Sequence, residues 1–245
     1  MNSLLNLITL ICASTILFVS CDTEPDTFTA TGDESYFAPS GSDPIQFQVD
    51  SVIFDPSIGG TAKIASSSIW TLELIDDAID SKPYYVTVKN GSGDTTAVQR
   101  YIWDFSSAGL SNGRKMSSLD GFNYVSLVTP FTAQSTWNAL QNADPSLEIA
   151  VAGEPLRIHK DWTTAVIDSI GTYALPDGSS VEAVYVNLTS AENAIELREF
   201  KEVYAKGLGL LERSQRFLDT QQSSSTELWE DKAENGFTVT MKRLF

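Results

Sequence analysis

The sequence predicts a mainly β protein: an antiparallel sandwich or an open, curved barrel, with one or two short helices. Three observations carry this reading. Apolar residues recur at every second position in many of the apolar runs, and the runs are short. Between several of them lie Gly, Asn, Asp and Pro in turn-forming combinations.

The first strand is the clearest. Ile45, Phe47 and Val49 alternate with Gln46, Gln48 and Asp50, as a strand with one buried face requires. Val52-Ile53-Phe54 prolongs it, and Asp55-Pro56 ends it, because proline cannot donate to a ladder. Trp70, Leu72 and Leu74 alternate in the next run. Strand-like runs follow at 84–88, 98–105, 122–128, 162–173, 181–188, 200–218 and 237–244. Turn chemistry separates several of them: Asn90-Gly91-Ser92-Gly93-Asp94, Ser111-Asn112-Gly113, Pro176-Asp177-Gly178 and Asn235-Gly236. Helix is expected only at 133–141 and 191–197, the second preceded by Thr189-Ser190 as a candidate N-cap. Gly207 and Gly209 interrupt a strand-like stretch, which predicts a bulge or the close approach of another backbone. A phosphate cradle is excluded there, since neither Lys-Ser nor Lys-Thr follows and no third glycine stands at nucleotide-binding spacing.

Domain organisation follows from the first 43 residues. Residues 4–19 read LLNLITLICASTILFV, long enough for the apolar core of a signal peptide and short for a membrane span. Ser20-Cys21 ends the run, and the chain turns polar with Asp22-Thr23-Glu24. Residues 22–43 hold six acidic side chains and no basic one, so they bury too little apolar surface to offset their ordering entropy. The expected order is a signal peptide over 1–20, an acidic flexible tether over 21–43 and a β-rich domain over 44–245. A subdivision near 130–160 is compatible with the pattern.

A small residue followed by cysteine at the end of an apolar leader resembles the lipobox of bacterial lipoproteins. The resemblance implies cleavage before Cys21, a diacylglycerol on its sulfur, and a place in the cell envelope, at the periplasmic or surface face of the outer membrane. Two further stretches, Tyr36-Phe37-Ala38-Pro39 with Phe47-Gln48-Val49-Asp50-Ser51-Val52-Ile53-Phe54-Asp55, and Glu202-Val203-Tyr204-Ala205-Lys206-Gly207-Leu208-Gly209-Leu210, resemble an uncharacterised group of Bacteroidota lipoproteins. The second is also similar to envelope proteins that form open β half-barrels, which makes a half-barrel the form of open barrel expected here. Asp50-Ser51-Val52, Asp94-Thr95-Thr96 and Asp168-Ser169-Ile170 resemble the O-glycosylation sequon of Bacteroidota, marking Ser51, Thr95 and Ser169 as acceptors, Thr95 foremost because it lies in a turn.

Chemistry is sparse. The formal charge of −16 repels phosphates and anionic headgroups, which argues against nucleic acid as a partner. Removal of the leader takes Cys12 with it, leaving Cys21 as the one cysteine and no disulfide. His159 is the only histidine; with Asp161 or Asp168 it lacks the Gly-x-Ser-x-Gly elbow of a serine hydrolase, and it cannot build a two-histidine zinc site. Glu73, Asp76, Asp77 and Asp80 cluster at a strand end, as solvated turns do. Trp70, Trp103, Trp137, Trp162 and Trp229, with Tyr84, Tyr85, Tyr101 and Tyr124, are expected to fill the core rather than line a ligand site. No catalytic residue, metal or cofactor is assigned. The expectation is a non-enzymatic binding or structural lipoprotein that presents a concave sheet to a glycan, a lipid or an envelope protein. The alternative is a carboxylate-dependent, glycosidase-like hydrolase.

Overall fold

Most of the alternating runs become strands of one open antiparallel sheet. A computed structural model describes residues 34–37, 43–58, 62–74, 81–90, 92–104, 114–119, 122–140, 144–160, 162–224 and 226–245, all within one compact unit, Thr31–Phe245. Among the described residues the strands are β1 (Ile45–Asp55), β2 (Ala62–Leu74), β3 (Ser81–Asn90), β4 (Thr95–Asp104), β5 (Arg114–Leu119), β6 (Phe122–Val128), β7 (Thr136–Trp137), β8 (Ile149–Val151), β9 (Glu154–Leu156), β10 (Ala165–Ala174), β11 (Ser180–Glu192), β12 (Glu196–Ala205), β13 (Gly209–Asp219) and β14 (Asn235–Leu244), with one short α-helix, α1 (Trp229–Lys232), before the last strand. The leader, Cys21 and most of the tether lie outside the described residues.

The main sheet has ten strands in the order β4-β3-β2-β1-β14-β13-β12-β11-β10-β7. Of the two architectures expected, the open sheet is the one adopted. Two meanders meet at its centre, where β14 pairs with β1 from Gln46↔Leu244 to Phe54↔Gly236. A sheet this wide accumulates twist and coils. The intervening segment leaves the sheet as two hairpins, β5–β6 and β8–β9. Buried residues of this segment, among them Tyr124, Leu127, Trp137, Leu156, Ile158 and Trp162, join Phe47, Val49, Val184, Val186, Phe200 and Phe217 in the main core. The face of the sheet carrying that core is called the inner face below. On the outer face, Trp229 and Ala233 pack on Phe54, Leu197 and Leu218.

Three expectations are corrected. Of the helix expected at 133–141, the described residues 133–140 instead form a turn and β7: Ser135 Oγ accepts from Thr132 N–H at 2.8 Å, Asn138 Oδ1 accepts from Leu140 N–H at 2.9 Å, and Trp137 donates Nε1–H to Val125 O at 2.8 Å. Side chains that capture nearby amides offer the backbone an alternative to helix. Residues 191–197 likewise finish β11, turn and begin β12, with Asn193 Oδ1 accepting from the N–H groups of Ile195 and Glu196 at 2.9 Å each. The run 200–218 is not one strand but the hairpin β12–β13. It turns at Lys206-Gly207-Leu208, with φ of +74° at Gly207 and +71° at Gly209, a region that glycine enters without steric cost.

The glycine expectation itself holds in both forms. A register shift between Val203 and Tyr204 gives β13 an extra residue, and Gly207 N–H donates to Ser35 O at 2.9 Å from a distant segment. That segment, Glu34–Tyr36, is a single 3-10 turn inside the stretch expected to be tether. Tyr36 and Phe37 are buried, and Tyr36 sets its ring edge-on to Phe131 and donates its hydroxyl to Glu182. Two adjacent aromatics supply enough apolar area to dock this short piece against the domain.

Candidate functional site

The register places three rows of side chains side by side across the inner face. One runs Phe217↔Phe237↔Ile53↔Ile64, the next Gln215↔Val239↔Ser51↔Ser66, and the third Arg213↔Met241↔Val49↔Ser68. Under β10–β13 the inner face is covered by core. Toward β1–β4 it opens into a groove of about 660 Å³, whose far side is the β8–β9 hairpin at Ile149, Ala150, Val151 and Ala152. That volume lies in the usual range for small-molecule sites, about 300–1,000 Å³. The lining extends over six strands, from Arg213 and Gln215 on β13 to Val88 on β3 and Ala97 on β4. At about 4.8 Å between strands this is roughly 24 Å, an elongated site.

Its walls are aliphatic and aromatic: Val49, Ile53, Phe237, Val239 and Met241 with Val88, Trp70 and the hairpin residues. Its polar groups differ in how far they are satisfied. Ser51 and Ser66 share a hydrogen bond of 2.8 Å, and Trp70 donates Nε1–H to Ser68 at 3.2 Å. Gln215 is different. It is 2% exposed, and its Nε2 finds no acceptor among the described residues. Leaving a buried donor unpaired costs about 1–3 kcal/mol, so a group of this kind asks for an explanation.

Beside it, Arg213 belongs to an enclosed ionic cluster. Glu202, wholly buried, accepts at Oε1 from Arg213 Nε at 2.8 Å and Nη2 at 2.7 Å, and from the Tyr124 hydroxyl at 3.0 Å. Its Oε2 accepts from the Tyr204 hydroxyl at 2.6 Å. Burial raises the phenol pKa of both tyrosines well above its ordinary value, and the Glu202 charge raises it further, so both remain protonated donors. Arg213 also lies over the Phe200 ring, 5.7 Å from its centre. The arrangement fixes the strand that carries Gln215.

The residues singled out in the sequence fall apart in space. Ser51 lines the groove, whereas Thr95 and Ser169 are exposed, Thr95 at the start of β4 and Ser169 on β10. His159 is buried against Trp162, ring centres 5.0 Å apart, and burial lowers its pKa, while Asp168 is exposed. Glu73 is exposed, and Asp76, Asp77, Asp80 and Asp161 lie outside the described residues. Of the tryptophans, Trp137, Trp162 and Trp229 are buried as expected, and so is Tyr124. Trp70 is half-buried against the main core and also borders the groove. The side chains of Trp103, Tyr84, Tyr85 and Tyr101 are outside the description. Glu202, Arg213 and Gln215 were not foreseen. Their signal was present in the phase of the strands: Arg213 and Gln215 alternate with the outward residues in step with buried Phe217.

No family model and no curated protein matches the chain. Among solved structures it is similar to a candidate exported protein with YmcC-like fold from Bacteroides fragilis, at 10% sequence identity and a TM-score of 0.36, over 85% of this chain and 99% of that one.

Proposed function

We propose that this protein is a lipoprotein of the bacterial cell envelope, held at the outer membrane by lipid on Cys21, and that it works by binding a ligand in the inner-face groove rather than by catalysis. The observation that carries the binding role is the groove itself, an elongated recess lined by Gln215, whose buried amide donor Nε2 has no acceptor among the described residues. The anchor rests on the apolar leader and its Ser20-Cys21 end. A lipoprotein's two or three acyl chains, each methylene worth about 0.8 kcal/mol, hold a protein where one chain does not.

The hydrolase alternative needs two carboxylates about 5–10 Å apart and open to substrate. Glu202, the partner of the lining residue Arg213, has both oxygens engaged by Arg213, Tyr124 and Tyr204. A carboxylate held in this way is a structural anion. Exposed Thr95 is the acceptor we favour for O-glycosylation, and an intact mass from the native host that shows lipid without sugar removes that part.

Two measurements test the reading. Cells grown with radioactive palmitate label the wild-type protein and not Cys21→Ala; a labelled Cys21→Ala protein refutes the anchor. Native mass spectrometry of protein extracted from its host shows a bound molecule that Val239→Trp, which fills the middle of the groove, no longer carries. Equal occupancy in both refutes the groove as the binding site.

A further inference from the structure

Resting on the binding reading, we propose that the ligand is an uncharged acyl chain, a long hydrocarbon with an ester or amide carbonyl, whose carbonyl oxygen accepts from Gln215 Nε2. Four features of the groove converge on this chemistry.

The first is shape. A site spanning six strands, roughly 24 Å at the ordinary strand spacing, suits an extended chain better than a compact ring. The second is the wall. Val49, Ile53, Val88, Phe237, Val239 and Met241 form long aliphatic and aromatic sides, with Ile149 and Val151 opposite. Sugar sites need several convergent polar groups; here one of the Ser51 and Ser66 hydroxyls donates to the other at 2.8 Å, which leaves a single O–H between them for a ligand. The third is the unpaired donor. An amide N–H₂ calls for an acceptor oxygen, and one carbonyl meets that need in an otherwise apolar molecule. The fourth is charge. Among the described residues, Arg213 is the one ionised side chain lining the groove, and Glu202 neutralises it, so these residues offer no free cation to an anionic head. The whole chain, at −16, repels such a head as well. A neutral ester or amide fits where a free carboxylate does not.

The geometry also orients the chain. Gln215 is 2% exposed on β13, next to the covered half of the inner face, while β4 is the edge strand of the sheet. The carbonyl therefore lies at the closed end, and the hydrocarbon runs toward β4.

The test uses the full chain carrying Cys21→Ala, which removes its own lipid, and the methyl ester of parinaric acid, a neutral fluorescent acyl probe. The difference between this chain and one that also carries Val239→Trp isolates the groove, because binding elsewhere cancels. Saturable fluorescence enhancement, lost with Val239→Trp and displaced by methyl palmitate but not by maltohexaose, is expected. Gln215→Leu keeps the groove's size and weakens probe binding about tenfold, the loss of one buried hydrogen bond. Enhancement that survives Val239→Trp overturns the proposal, as does a Gln215→Leu chain that binds the probe as tightly as its parent. If maltohexaose binds the parent chain and not the Val239→Trp chain, the acyl assignment fails while the binding role stands. If neither probe responds to Val239→Trp, and the molecule carried from the host does not respond either, both fail.

Discussion

Replacing Gln215 with leucine should make the protein more stable. Gln215 is 2% exposed, and its Nε2 has no acceptor among the described residues. Such a donor loses its water and gains nothing in return, at a cost of about 1–3 kcal/mol. Leucine is close in volume and adds no polar atom, so Gln215→Leu recovers part of that cost. A gain of about 1–2 kcal/mol is expected, since the walls around the new methyls are already apolar. Two positions along the same strand, Arg213→Met should have the opposite sign. It removes two of the four hydrogen bonds to a wholly buried Glu202 carboxylate, and an unpaired buried charge costs about 3–5 kcal/mol. Adding Glu202→Leu to Arg213→Met should restore much of that loss, because the charge goes too. Urea unfolding checks all three. At a slope of about 2 kcal/mol/M the Gln215→Leu midpoint rises by about 0.5–1 M with the slope unchanged. A midpoint that stays or falls refutes the reasoning, because it means the amide is already satisfied and stores nothing for a ligand. The trade is the one expected of a binding site, stability given up for a group held ready.

Other expectations follow from the backbone and from burial. Gly236 sits at φ +118°, and a Cβ there would lie 2.0 Å from Phe217 O, so Gly236→Ala should cost more than about 3 kcal/mol. Gly178, at φ +83° with open space around it, should cost only about 1 kcal/mol as alanine; equal losses in thermal melts would contradict this. His159 has a folded-state pKa below 6.5 because burial penalises its charged form. The unfolded chain then binds the proton first, so stability is full above about pH 6.5 and declines as pH falls through 6.5 toward the folded value. His159→Gln should flatten that part of the urea-midpoint profile, and an unchanged slope would refute the assignment.

How much of this was legible in the sequence depended on whether side chains or tertiary contacts decided the outcome. The strand of Ile45, Phe47 and Val49 was legible because its alternation is a local pattern that one buried face enforces. The turns at Asn90 and Asp177 were legible because their side chains accept from nearby amides: Asn90 Oδ1 from Ser92 and Asp94, Asp177 Oδ1 from Ser179. The helix expected at 133–141 failed because burial of Trp137 and local captures by Ser135 and Asn138 outweighed weak helical propensity. The hairpin at Gly207 was hidden because apolar residues continue on both sides of Gly207 and Gly209, so the glycines read as a bulge in one strand; their positive φ and the Leu208 N–H bond to Ala205 O at 3.1 Å make the turn. The groove was least legible of all. Gln215, Val239, Ser51 and Ser66 come from four strands, and only the antiparallel register sets them in one row. Arg213 and Gln215 read as ordinary polar strand residues until their phase with Phe217 shows that they face inward.

If an acyl chain lies along the inner face of the sheet, its position can be read by covalent capture. Photocrosslinking tests it most directly, using a methyl palmitate analogue with a diazirine in mid-chain and peptide mapping of the labelled full chain. Label is expected on the groove segments around Val49–Ile53 of β1, Phe237–Met241 of β14 and Ile149–Ala152 of the hairpin, and none of it after Val239→Trp. Label concentrated on the outer face, around Trp229 or Tyr173, or left unchanged by Val239→Trp, would contradict it.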